Sequence, residues 1–193
     1  MNEERTEETN VQAAAQLRDT EAPAPSMEEI FREHHQRVFR VAYRVTGNAQ
    51  DAEDVLQTVF MRLVRRKADN PLSDRPESYL HRAAINAGLD ILRARDSARS
   101  SPLEDVQDQL AEGREHSPDE SHLGRELKER IRAVLATMSP KTAEVFALRY
   151  FEGYGNNEIA EMLGSSRSTI AVILHRARHR LQQEIGSLTG DES

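Results

Sequence analysis

The chain has 193 residues, of which 37% are hydrophobic and 31% charged, with a formal net charge of -7 and no cysteine. Without cysteine there can be no disulfide, thiol catalysis or cysteine-ligated zinc, and no stretch approaches the ~20 apolar residues of a membrane span. The acidic N-terminus shows no basic-then-apolar targeting pattern, so a cytoplasmic location is expected.

The net charge hides an uneven distribution. Residues 1–26 hold six acids against two bases, and residues 96–122 hold eight acids against two. Between Glu161 and Glu184, by contrast, there are four arginines and no acid, so a local positive field persists on an acidic chain. Residues 1–26, with Glu3, Glu4, Glu7, Glu8, Pro23 and Pro25 and few large apolar residues, read as a disordered tail.

Residues 27–95 read as a three-helix block. Phe31, Val38, Ala42 and Val45 form the apolar face of its first helix. Gly47-Asn48 stops that helix and caps the next. The second helix opens with Asp51, Glu53 and Asp54, where negative charge suits the helix dipole, and closes with Arg65, Arg66 and Lys67. Ala52, Val55, Leu56, Val59, Phe60 and Leu63 lie between. After a loop containing Pro71 and Asp74, Pro76 suits the first position of a third helix that carries Tyr79, Leu80, Ala84, Leu89 and Leu92. His34 and His35 are adjacent and point in different directions on a helix, so surface histidines are expected rather than a metal site.

Residues 96–122 combine acids with serine, glycine and proline, which is a linker composition. Residues 123–188 form the second block, followed by a short tail at 189–193. Within it Asn156 to Leu181 has the pattern of two helices joined by a tight turn. Ile159, Ala160 and Leu163 recur at helical spacing, Gly164 turns the chain, and Ser165 or Ser166 can cap the next helix. Ile170, Ile173, Leu174, Ala177 and Leu181 make one stripe, leaving Arg167, Ser168, Ala171, Val172, His175 and Arg178 on or near the opposite face. Such a helix can enter a DNA major groove, although an ordinary helical hairpin with a solvated basic face has the same pattern. The expected class is therefore all-α, with two small helical domains joined by an acidic flexible linker and a helix-turn-helix in the second.

These blocks together resemble bacterial RNA polymerase sigma factors. The run Gly47-Asn48-Ala49-Gln50-Asp51-Ala52-Glu53-Asp54-Val55-Leu56-Gln57 with Phe60-Met61-Arg62-Leu63 is similar to their core-binding helix. Pro76 to Asn86 and Leu89 to Arg95 resemble the promoter-melting segment. Ser139-Pro140-Lys141, Phe146 to Gly153 and the helix-turn-helix resemble the promoter-binding domain. The order of the motifs and the linker between them match the extracytoplasmic-function group.

The resemblance implies binding to RNA polymerase core, promoter recognition and transcription initiation, with an anti-sigma protein as regulator and no cofactor or metal. It places Asp51, Glu53, Asp54, Gln57, Phe60 and Arg62 at the polymerase. Asp51 could equally serve the helix dipole, and Phe60 the core. It places Lys67, Arg75, Arg82, Asn86, Arg93 and Arg95 on the minus-ten strand. Arg167, Ser168, Thr169, Val172, His175, Arg176, Arg178 and Arg180 fall on minus-thirty-five DNA.

The chain departs from the family pattern at three places. Ala171, Val172 and Ile173 stand where polar or basic residues are common, Gly155, Asn156 and Asn157 where a serine, an aromatic and an acid are, and Thr58 where an acid is frequent. The asparagines remain able to cap a helix. Two other classes stay open: a free-standing helix-turn-helix regulator, which leaves residues 27–95 unexplained, and a sigma-like decoy for an anti-sigma protein. No paired carboxylates, activated nucleophile or phosphate-cradling glycine loop points to an enzyme.

Overall fold

A computed structural model describes residues 26–65, 76–99 and 122–189, and every regular element among them is an α-helix. Their order is α1 (Met27–Thr46), α2 (Ala49–Arg65), α3 (Pro76–Arg99), α4 (His122–Thr137), α5 (Pro140–Tyr150), α6 (Asn156–Met162) and α7 (Arg167–Thr189). The tail at 1–25 and most of the linker, 100–121, lie outside the described residues. Helix α3 continues four residues past the expected boundary at Arg95.

The ends of these helices follow from their residues. Ser26 and Glu29 form a reciprocal capping box: Ser26 Oγ accepts from Glu29 N at 3.3 Å, and Ser26 N donates to Glu29 Oε2 at 2.8 Å. Gly47 ends α1 at φ +70°, a left-handed conformation in which its N–H bonds Tyr43 O at 2.8 Å. Asn48 then caps α2, its Oδ1 accepting from Asp51 N at 3.0 Å. A methyl group at Gly47 would also run into the guanidinium of Arg132. Gly47→Ala should therefore cost about 1–2 kcal/mol, read as a lower midpoint in denaturant with an unchanged slope.

The first bundle buries Val38, Val41, Ala42 and Val45 of α1 against Val55, Val59 and Leu63 of α2 and Leu80, Ile85 and Leu89 of α3. Two expectations for α1 need correction. Phe31 is 43% exposed, lying edge-on to Phe60 at the end of the bundle rather than within it. His34 is buried, because the 34, 38, 41, 45 spacing sets it on the inward stripe; only His35 remains on the outside, stacked on Phe31.

The second bundle gathers Leu135, Met138, Ala143 and Leu148 with Ile159, Ile170, Leu174, Ala177 and Leu181. Gly155, not the asparagines, starts α6: its N–H donates to Glu158 Oε2 at 2.6 Å, and Asn156 and Asn157 fall inside the helix. Gly164, at φ +56°, makes the turn, and Ser166 caps α7 by accepting from Thr169 N at 3.1 Å. No described helix is long and apolar enough to cross a membrane, and no described group of three His, Asp or Glu residues is placed to hold a metal ion.

The two bundles pack on each other. Helix α3 faces both α4 and α5. Polar bonds tie the bundles together at several points, and two of the residues assigned above to DNA, Arg82 and Asn86, take part in some of them.

Candidate nucleic-acid interface

On α2, Glu53, Asp54, Gln57 and Arg62 are exposed, so four of the six residues assigned to the polymerase share an accessible helix. The other two are not accessible in the same way. Phe60 is buried beneath Phe31. Asp51 is only 7% exposed and faces α3, where Arg95 Nη2 donates to Oδ1 at 2.6 Å and Nη1 lies 2.6 Å from Oδ2. Burial pushes the Asp51 carboxyl above its ordinary value against the pull of Arg95, with Asp54 adding to the rise.

That ion pair also occupies Arg95, one of the minus-ten candidates. Arg93 is half-buried and donates to Asp90 Oδ1 at 3.0 Å. Arg82 and Asn86 are half-buried at the contact with the second bundle. Arg82 Nε and Asn86 Nδ2 both donate to Glu144 Oε1, at 2.9 and 3.1 Å, and Arg82 Nη1 donates to Met162 O at 2.9 Å. The other two minus-ten candidates, Lys67 and Arg75, lie outside the described residues.

The helix-turn-helix presents a more open surface. Arg167, Ser168, Thr169, Val172, His175, Arg176, Arg178 and Arg180 are all exposed on α7, as is Ala171, whereas Ile173 is half-buried against the core. Arg180 Nη2 donates to Thr137 Oγ1 at 2.9 Å, which ties it to the end of α4. An open cleft of about 410 Å³ lies between Arg149, residues 155–158 and Arg167. Arg149 was absent from the DNA candidates. It ends α5 beside the turn and donates to Tyr154 O at 3.0 Å, so only the folded turn brings it to Arg167.

Further bonds cross between the bundles. Arg44 Nη1 donates to Phe151 O and to both carboxylate oxygens of Glu152, each at 3.1 Å. Arg132 Nε donates to Val45 O at 3.1 Å, satisfying a carbonyl at the C-terminus of α1. The Tyr154 hydroxyl pairs with His81 Nδ1 at 2.6 Å. Burial raises the Tyr154 phenol, so it stays protonated and can donate. His81 Nε2 is buried without a hydrogen-bond partner among the described residues.

Burial also lowers the His81 imidazole, more than Glu152 from the facing bundle and Glu77 on its own helix raise it; Arg37 and His34 of α1 lower it further. The sign of the pH effect follows. The unfolded chain takes up this proton first, so the contribution is complete above about pH 6.5 and is lost as pH falls below that toward the lower folded value. Melting between about pH 7.5 and 5.5 should show this loss, and His81→Leu should reduce it. An identical pH dependence in the variant would remove His81 as the cause. Asp51, with its raised folded value, contributes in the opposite sense at lower pH.

Residues 30–98 match the family model for Sigma-70 region 2, and residues 128–181 match that for Sigma-70 region 4. The chain is 33% identical over 162 residues to the ECF RNA polymerase sigma factor SigE of Mycolicibacterium smegmatis, a match spanning 84% of this chain and 62% of that protein. It is 35% identical over 162 residues to the RNA polymerase sigma-E factor of Streptomyces coelicolor, spanning 82% and 85%. Among solved structures, the sigma factor RpoE in complex with the anti-sigma factor NepR from Bartonella quintana aligns at a TM-score of 0.49 and 18% identity, covering 84% of this chain and 96% of that one.

Proposed function

The chain belongs to the extracytoplasmic-function group of RNA polymerase sigma factors, and on that premise we propose that it binds polymerase core, places it on promoters and helps open the duplex. Sigma factors of this family are transcription regulators, not enzymes. The single observation that carries the reading is the coexistence on one chain of an accessible acidic-headed α2 and an exposed, arginine-bearing α7 that forms the second helix of a helix-turn-helix. Glu53, Asp54, Gln57 and Arg62 are the polymerase contacts in this reading. Asp51 and Phe60 position that helix from within.

Promoter DNA is met at two places. Arg167, Ser168, Thr169, Val172 and His175 face minus-thirty-five bases or their backbone, while Arg176 and Arg178 hold phosphates. Arg149, at the cleft beside the turn, joins them as a phosphate ligand. Lys67, Arg75, Arg82, Asn86, Arg93 and Arg95 serve the minus-ten strand. Work of this kind places the protein in the cytoplasm, with an anti-sigma protein as its regulator. Exposed Met61 and Val64 beside the polymerase residues give such a regulator an apolar foothold.

Run-off transcription from genomic promoter fragments tests the proposal. Core plus this chain should yield discrete transcripts from a subset of fragments that core alone ignores. A second reading, an anti-sigma decoy, draws support from Ala171 and Val172, which place apolar atoms on the DNA-facing surface of α7. Core binding without any promoter-specific transcript would overturn the first reading in favour of the second.

A further inference from the structure

Glu144 belongs to α5 of the second bundle, yet both side chains it holds belong to the first. Its side chain is only 10% exposed, and one oxygen receives the Arg82 guanidinium and the Asn86 amide together. Arg82 is also held from the other side by Met162 O, at the end of the first helix of the helix-turn-helix. An anionic oxygen that accepts from a guanidinium and an amide is the chemistry a DNA phosphate would present. The two anions cannot occupy those donors at once.

We propose that the packed arrangement is a self-inhibited form of the protein, in which Glu144 takes the place of a promoter phosphate on Arg82 and Asn86. The proposal rests on the minus-ten assignment of those two residues made above. Closure and strand binding then exclude one another, and the apparent strand affinity of the free chain is reduced by the fraction that is open. The other ties described between the bundles, Arg44 to Glu152, Arg132 to Val45 O and Tyr154 to His81, use no residue assigned to DNA. They supply independent means of opening the molecule. Removing Arg44 would leave Glu152, whose side chain is 6% exposed, a buried carboxylate without that partner, which favours separation.

Because the chain has no cysteine, single cysteines at the exposed positions Gln36 and Gln183 can carry spin labels without background. Distances between them, and binding of a fluorescent single strand bearing a minus-ten-like sequence, are measured on the full free chain. Glu144→Gln and Arg44→Gln should each add a longer-distance population and tighten strand binding by about threefold or more. Glu126→Gln, the same charge change on an exposed site of α4, should do neither. The gain with Arg44→Gln is the stringent arm, since that variant loses a positive charge. Adding Arg82→Ala and Asn86→Ala to Glu144→Gln should keep the long distances and abolish the gain in strand binding.

If neither Glu144→Gln nor Arg44→Gln lengthens the distances, the proposal is overturned. Distances that lengthen with no change in strand binding, whether or not Arg82 and Asn86 are present, overturn the minus-ten assignment and the inhibition resting on it. They leave the closed contact itself standing.

Discussion

Asp51→Lys is expected to destabilise the first bundle by about 3–5 kcal/mol, whereas Glu53→Lys combined with Asp54→Lys changes stability by no more than about 1 kcal/mol and weakens capture of polymerase core. The difference comes from where the three acids point. Asp51 is turned onto α3 and paired with Arg95, so lysine there buries a cation and sets it against that guanidinium, which still reaches solvent on its far side. Glu53 and Asp54 stand in solvent just past the first turn, where reversal costs only a weak favourable term with the helix dipole. Thermal melting and a core titration separate the two effects. An Asp51→Lys protein with parental melting and impaired core binding would mean that Asp51 meets the polymerase directly and that its pairing with Arg95 is incidental.

Asp51 also shows the limit of reading this fold from sequence. Local signals were legible because each depends on neighbours within one turn: Gly47 and Asn48 between α1 and α2, Pro76 opening α3, Gly164 and Ser166 around the turn before α7. The stripe from Ile170 to Leu181 was legible for the same reason, through its 3.6-residue period. His34 could have been found too, since it shares the spacing of Val38, Val41 and Val45. So could Gly155, given Glu158 three residues on.

Glu144 and its partners could not. A polar helix face looks the same in a sequence whether it meets water, DNA or another polar face, and Arg82 and Asn86 lie 62 and 58 residues from Glu144. Only packing of the two bundles decides among these. The same holds for Arg149, which reaches Arg167 through the folded turn.

Arg176 and Arg178 escape that ambiguity, because both stand exposed on α7 and neither is drawn into the contact between the bundles described above. Replacing both with alanine should weaken binding to every DNA sequence and reduce the slope of log affinity against log salt by about one to two units, since each arginine lost leaves one phosphate with its counterions. Arg180 is left out because its bond to Thr137 would confound packing with charge. Val172 should behave differently. It is 49% exposed and has no side-chain donor, so any base contact it makes is limited to apolar surface such as a thymine methyl. Val172→Arg, placing a guanidinium at that position, should change which minus-thirty-five sequences are selected, with discrimination shifting by about 1–3 kcal/mol if guanine is engaged through both acceptors. Selection from a randomised minus-thirty-five library, at several salt concentrations, measures both effects on the assembled holoenzyme. A uniform loss from the double alanine variant with a changed preference from Val172→Arg assigns phosphates to one side of α7 and bases to the other. If Val172→Arg selects the parental sequences with parental affinity, and the double alanine variant still supports normal promoter use, α7 does not read DNA, and the exposed Ala171 and Val172 belong to a protein-binding face.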